Sequence, residues 1–278
     1  MNTSDYSSIV DRALEEDLLN IGDVTTDSVI GTELLARAAL VSRKPGVIAG
    51  LDVARYVFEK VDANVEFLPA IEDGDHVAAD DVVADVSGRA RSILIAERTA
   101  LNLLGRMSGV ATETARLVAL IEGTGALISD TRKTMPGLRV LDKYAVSAGG
   151  GINHRMGLYD AVLIKDNHIA AAGDILAAVK AARARVGPDM IVEVEVDTLD
   201  QLRVVLETDA DRVLLDNMDP ATLRHAVEIA GDRIVTEASG GVTVETVRDI
   251  AETGVDIISV GSITHSAPQL DVGLDFLS

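Results

Sequence analysis

Residues 191–216 read IVEVEVDTLDQLRVVLETDADRVLLD. The apolar run from Ile191 to Val196 is followed, from Thr198, by leucines and valines at helical spacing, and then by a second apolar run from Arg212 to Asp216. The outer runs predict strands and the middle a helix. Two strands joined by a single crossover helix lie parallel. The same grammar extends in both directions. Upstream stand ALISD (126–130) and AVLIK (161–165), with a helix from 174; downstream, helices from 219 and 243 alternate with RIVTEAS (233–239) and DIISVG (256–261). Strands that are apolar almost throughout indicate a parallel sheet covered on both faces. No G-x-G-x-x-G turn follows the first strand, which weakens the open dinucleotide-binding sheet. The reading is therefore a (β/α) barrel, and an incomplete one, since eight units would need more chain than remains.

The first third has a different texture. Ile9, Val10, Ala13, Leu14 and Leu18 recur at helical spacing between Ser8 and Leu19, with Ser7 or Ser8 as cap. Residues 36–88 read as short strands around one helix at LDVARYVFEKV, with turns at Lys44-Pro45-Gly46 and Glu72-Asp73-Gly74-Asp75. A long helical pattern over 91–122, interrupted near Gly105 and Ser108-Gly109, joins this part to the barrel. The chain is read as a small α+β domain over 1–108 and an incomplete barrel over 109–265, with packing of the tail 266–278 on the first domain as an expectation.

Composition excludes several classes of partner. The 45 acidic against 25 basic residues give a formal charge of −20, which repels nucleic acid and anionic membranes. Asp (29) outnumbers Glu (16) and Arg (19) outnumbers Lys (6), a surface suited to a high-salt cytoplasm and a halophilic archaeal source, where such a charge is screened. With no cysteine there is no disulfide, thiolate nucleophile or zinc–thiolate site. The N-terminus carries no basic segment followed by an apolar run, and no stretch reaches ~18 apolar residues, so the expected location is the cytoplasm.

In a parallel barrel the chemistry sits at the C-terminal ends of the strands. Here those ends lead into Asp130, Arg132 and Lys133; Lys165, Asn167 and His168; Glu195; Asp216-Asn217; Ser239-Gly240-Gly241; and Gly261-Ser262. Between Asp130 and His168 six Arg or Lys face four Asp, with His154 and His168, a local basic excess in an acidic chain. The guanidinium fork suits planar carboxylates and the ammonium suits phosphate, so the site is expected to hold several negative charges at once. EASGGV and ISVGSITHSAP place glycines and hydroxyls after strands, as phosphate-binding turns do. Glu195 and Asp216, so close to an anion, read as acceptors for ribose hydroxyls or as Mg²⁺ ligands. The alternation Glu193, Glu195 also fits a polar strand face.

The segment DTRKTMPGLRVLDKYAVSAGGGINHRMGLYDAVLIKDNH (130–168) resembles the signature of the quinolinate phosphoribosyltransferase (nicotinate-nucleotide pyrophosphorylase, carboxylating) family. EEDLLNIGDVTT, AERTALNLLGRMSGVAT, EVEV, LLDNM, EASGGV and SVGSITHSAP extend the resemblance, in order, over nearly the whole chain. The resemblance implies an N-terminal α/β sandwich followed by an incomplete barrel, usually dimeric. It also implies a pentosyltransferase of NAD biosynthesis, converting quinolinate and phosphoribosyl pyrophosphate with Mg²⁺ into nicotinate mononucleotide, carbon dioxide and pyrophosphate. Carried onto this sequence, quinolinate falls to Arg98, Arg132, His154, Arg155 and Lys165, with Arg98 reaching the neighbouring subunit's site. Phosphoribosyl pyrophosphate falls to Thr131, Lys133, Glu195, Asp216, Ser239, Gly240, Gly241, Val260, Gly261 and Ser262. Lys133, Lys165, Glu195 and Asp216 take the catalytic roles, Glu195 and Asp216 hold Mg²⁺, and either Lys165 or His154 supplies the proton after decarboxylation. The competing readings are a paralogue using another acceptor and a non-catalytic anion-binding protein.

Overall fold

The computed structural model describes residues 1–277, which fall into two compact units: Met1–Ala115 with Thr134–Gly150 and the chain from Ile263 onward, and Arg116–Lys133 with Gly151–Ser262. Thr134–Gly150, which the sequence reading assigns to the barrel, lies in the first unit.

In the first unit, β1 (Leu35–Ser42), β2 (Gly46–Val47), β3 (Glu66–Pro69), β4 (His76–Val77) and β5 (Val82–Arg89) surround the helix Leu51–Val61. The main sheet is antiparallel in the order Val272–Leu277, β1, β5, β3, so the C-terminal segment is an edge strand of this unit. Val53, Ala54, Val57 and Phe58, spaced at one helical face, are completely buried, and Phe58 meets Phe67 of β3 at 5.8 Å between ring centroids.

The helix over Ala90–Leu120 is continuous for 31 residues, so Gly105 and Ser108-Gly109 do not interrupt it. Their smallness serves a close contact instead. A methyl group on Gly109 would lie 2.0 Å from the carbonyl oxygen of Pro268, and one on Gly105 2.8 Å from that of Leu270. The returning chain lies directly against the helix backbone there, anchored by Leu270 N–H donating to Gly105 O at 2.9 Å. A few steps along, Arg106 pairs with Asp142 of the helix Arg139–Ala148 through Nε at 3.0 Å, and Asp142 also accepts from Met135 N–H at 3.1 Å. Burial pushes the Asp142 carboxyl up and the Arg106 cation opposes it. Asp142→Asn keeps the volume but removes the anion beside a nearly buried guanidinium. We expect a loss of about 1.5–3 kcal/mol, read as a lower denaturant midpoint at unchanged m-value.

The second unit carries β6 (Leu127–Ser129), β7 (Val162–Ile164), β8 (Val192–Val196), β9 (Arg212–Asp216), β10 (Val235–Ser239) and β11 (Ile257–Ser259), all parallel. Their order in the sheet is β6-β11-β10-β9-β8-β7. The strands thus follow one another cyclically, and the seam of the barrel lies between β6 and β7, where Ser129 and Ile152 form one isolated bridge. The crossover helices Ile175–Val186, Leu199–Val205 and Pro220–Ala230 start on caps from Asp174, Thr198 and Asp219. Some of the aspartate surplus is therefore helix-capping. Alternation along each strand does the rest: Val192, Val194 and Val196 are buried on one face, which leaves Glu193 and Glu195 together on the other.

Candidate active site

A cavity of about 570 Å³ opens at the C-terminal ends of the barrel strands. Alternate residues supply its wall: Leu163 from β7 and Lys165 directly after it, Glu195 from β8, Leu214 and Asp216 from β9, Glu237 and Ser239 from β10, and Ser259 from β11. The loops after β6 add Thr131, Arg132, Lys133, His154 and Arg155.

Those loops are held by Asp130, whose carboxylate is fully buried. It accepts from Asn153 Nδ2 at 2.7 Å and from His154 N–H at 2.9 Å, tying the end of β6 to the turn 153–155. Arg155 then donates from Nη1 to the carbonyl of Ala161 at 3.1 Å. Burial lowers the Arg155 pKa, and the neighbouring Arg132 cation lowers it further. Arg132 Nε is itself buried with no acceptor in the protein. Two guanidinium groups brought together in partial burial, one with an unsatisfied donor, have the chemistry to receive a carboxylate. Across the cavity, the Lys165 ammonium pairs with the Glu195 carboxylate.

The turn after β10 is shaped by Gly240 and Asn217. Asn217 takes a left-handed φ of 54°, donates its backbone N–H to Ser239 O at 2.8 Å and turns its side-chain amide onto Asp216 at 2.6 Å. Gly240 has φ +97°, and a methyl group there would lie 2.2 Å from Asn217 Oδ1. The β9 and β10 ends are thus packed backbone to backbone, leaving Ser239, Gly240 and Gly241 on the cavity wall.

Beneath the basic side His154 joins Glu193 and Glu237, of which the sequence reading names all but Glu237. His154 Nε2 is 2.9 Å from Glu193 Oε2 and 3.5 Å from Glu237 Oε1, and Ser259 Oγ donates to Glu237 Oε1. Both carboxyl groups are buried, and Glu193 therefore belongs to the interior rather than to a solvated strand face. His154 Nδ1 accepts the backbone N–H of Arg155 at 2.8 Å, so the ring proton resides on Nε2 and points at the acid pair. Burial, reinforced by Glu193, raises the Glu237 pKa to about 7. Its one signal in the sequence is a glutamate at the centre of the short strand VTEAS.

Of the residues singled out in the sequence, Thr131, Arg132, Lys133, His154, Arg155, Lys165, Glu195, Asp216, Ser239, Gly240 and Gly241 share this cavity. Val260, Gly261 and Ser262 are not on its wall; Val260 is buried, and Ser262 opens the short helix Ser262–His265. Arg139 and Lys143, counted in the basic segment, belong to the first unit, where Lys143 is buried. Arg98 is also in the first unit, on the exposed side of its long helix, 3.9 Å from Glu97.

A parallel α/β barrel with a cation-rich cavity and a glycine turn at its strand ends defines a class, the barrel enzymes that act on polyanionic small molecules. Comparison with known proteins narrows it. The family descriptions "Quinolinate phosphoribosyl transferase, N-terminal domain" and "Quinolinate phosphoribosyl transferase, C-terminal domain" match residues 23–108 and 110–275, and the chain belongs to that family. It is 42% identical over 275 residues to a probable nicotinate-nucleotide pyrophosphorylase [carboxylating] of Bacillus subtilis, covering 99% of this chain and 94% of that one. The nicotinate-nucleotide pyrophosphorylase [carboxylating] of Mycobacterium leprae is 45% identical over 269 residues, 95% of this chain and 94% of its own. Among solved structures, the nicotinate-nucleotide pyrophosphorylase of Francisella tularensis superposes with a TM-score of 0.96 at 39% identity, covering 100% of this chain and 98% of that one.

Proposed function

We propose that this protein joins quinolinate to the phosphoribosyl group of phosphoribosyl pyrophosphate, releasing pyrophosphate and carbon dioxide and leaving nicotinate mononucleotide. The observation that carries the reading is the Arg132–Arg155 pair, two adjacent guanidiniums of which one keeps a buried Nε without an acceptor. A dicarboxylate satisfies both, whereas a monocarboxylate leaves one unpaired.

The pyridine nitrogen attacks C1 of the ribose, and the C1–O bond to pyrophosphate breaks with its electron pair on the leaving oxygen. Lys133 stabilises the departing charge, and the N–H groups of the Ser239–Gly241 turn hold phosphate. Glu195 and Asp216 accept from the ribose hydroxyls and favour the positive charge that develops on the ring. The bond from C2 to its carboxylate then breaks, the electron pair stays on C2 beside the new pyridinium, and carbon dioxide leaves. A proton must reach C2. His154 turns its ring N–H away, onto Glu193, while the Lys165 ammonium has three protons and gives one to Glu195. Lys165 is the donor in this reading.

Glu195 and Asp216 are oxygen donors at the ends of adjacent strands, on the cavity wall, and this donor set suits Mg²⁺, which takes one or two carboxylates together with phosphate oxygens. Bound there, Mg²⁺ would neutralise pyrophosphate charge. We further propose that the chain works as a homodimer to which exposed Arg98 contributes across the interface. No helix among the described residues is long and apolar enough to cross a membrane, in keeping with a cytoplasmic enzyme.

Product analysis with quinolinate or nicotinate as acceptor, with and without Mg²⁺, tests this function. Nicotinate mononucleotide and carbon dioxide from quinolinate alone are expected; turnover of nicotinate instead would move the assignment to another acceptor. A charge of −20 also makes the fold salt-dependent. Raising potassium chloride from 0.1 M to 3 M is expected to raise Tm by more than the roughly 2–4 °C that ~1 kcal/mol gives in a chain of this size. A Tm that falls or stays level would remove the halophilic reading.

A further inference from the structure

We propose that Glu237, as a neutral carboxylic acid, is a positioning residue that works with Glu193 to lock the His154 ring and, through it, the Arg155 backbone at the quinolinate end of the site. The inference rests on the function proposed above, and its geometry is a chain of hydrogen bonds. Ser259 Oγ donates to Glu237 Oε1. Glu237 Oε2 and Glu193 Oε1 are buried and accept no hydrogen bond from any other group. Two carboxylates cannot donate to each other, so a bond across this pair requires one proton. Two ionised carboxylates buried side by side are strongly disfavoured, and one retained proton removes that cost. Glu193 receives His154 Nε2–H at 2.9 Å, and His154 Nδ1 receives Arg155 N–H at 2.8 Å. Each link fixes the next.

The tautomer also argues against a metal here. His154, Glu193 and Glu237 bring their ligand atoms within 4.8 Å of one another, a spacing that a divalent cation could use. A cation would need the Nε2 lone pair, but Nδ1 already accepts from Arg155 and the ring proton is therefore on Nε2. The geometry serves a proton better than an ion.

The charged groups around Glu237 are Glu193 on β8, Asp216 on β9, and Asp130, Arg132, His154 and Arg155 on β6 and its following loops, with Lys165 and Glu195 on the same cavity wall. Ionising Glu237 adds a negative charge beneath the two guanidiniums that bind the substrate. The group titrates near pH 7, charged above and neutral below, so quinolinate binding should weaken as pH rises through 7. Phosphoribosyl pyrophosphate, bound at the β9–β10 end, should be less affected.

The test uses the full-length protein. Glu237→Ala is expected to raise KM for quinolinate about 10- to 100-fold, with a smaller change in kcat and in KM for phosphoribosyl pyrophosphate, the range that displaced positioning groups give. Glu237→Gln, which imitates the neutral acid, should recover most of that loss and should abolish the rise of KM above pH 7. If glutamine is as damaging as alanine, or keeps the wild-type pH profile, the proposal fails. Should the alanine variant not fold, the pH profile of the glutamine variant alone decides. Histidine ¹⁵N NMR supplies an arm independent of turnover: His154 as the neutral Nε2–H tautomer at pH 6–8 supports the proposal, and an imidazolium or Nδ1–H form overturns it. That spectrum stands whichever acceptor the enzyme uses, so a wrong substrate and a wrong role for Glu237 give different results.

Discussion

Replacing Arg132 with alanine should lower kcat/KM for quinolinate about a thousandfold, a loss of ~4 kcal/mol at 1.4 kcal/mol per tenfold. The size follows from what remains behind. Removing one partner of a desolvated, hydrogen-bonded charge pair costs about 2–5 kcal/mol, because the other charge stays buried without its match. Here the orphan would be a substrate carboxylate facing Arg155 alone. The circular dichroism and melting profile should change little, since Arg132 Nε has no acceptor in the protein. Arg132→Lys should recover only a small part of the activity, because an ammonium cannot reproduce the planar fork. Wild-type kinetics in Arg132→Ala would remove the arginine pair from the site.

Gly240→Ala acts on the other substrate. At φ +97° a side chain is strained by roughly 1–3 kcal/mol, and the new methyl would lie 2.2 Å from Asn217 Oδ1 and 3.0 Å from its backbone nitrogen. The second contact is with backbone and cannot be relieved by rotating a side chain. The β9 and β10 ends must part, which displaces the amides of the Ser239–Gly241 turn by a few tenths of an ångström or more. We expect KM for phosphoribosyl pyrophosphate to rise about a hundredfold, the scale of an ångström-size misplacement, while quinolinate affinity measured by calorimetry changes less. Equal weakening of both ligands would show that the turn supports the whole site rather than the phosphate end.

The six barrel strands are legible in the sequence because a parallel strand buried on both faces must be apolar along its length. AVLI, IVEV and IISV leave no other regular structure that short. The strand-end site is legible for a related reason: only there can a polar residue follow an apolar run and still reach solvent. What could not be read depends on partners distant in the chain. Gly105 and Gly109 carry the composition of a break, yet they sit inside an unbroken helix because residues 268–270 fold back against it. Local propensity holds no record of that contact. Glu237 was hidden in the same way: its acid partner is 44 residues earlier, on β8, and only the barrel brings the two together. Arg139 and Lys143 show the converse: near Arg132 and Arg155 in sequence, they cluster with the first unit rather than with the barrel.

The seam between β6 and β7 also bears on how the molecule survives in a crowded solution. A barrel with a seam has two strands whose outer amides and carbonyls lack a full set of neighbours, and such edges can recruit strands from other molecules into aggregates. β6 and β7 are three residues long, the shortest in their sheet together with β11, and the isolated bridge at Ile152 occupies part of the β6 edge. So short an edge offers an intruding strand too few hydrogen bonds to repay its ordering. The polar run Lys165-Asp166-Asn167-His168 ends β7 abruptly and begins a helix, so the edge cannot lengthen. The residues that end this strand to serve the cavity also keep the opened barrel from becoming adhesive.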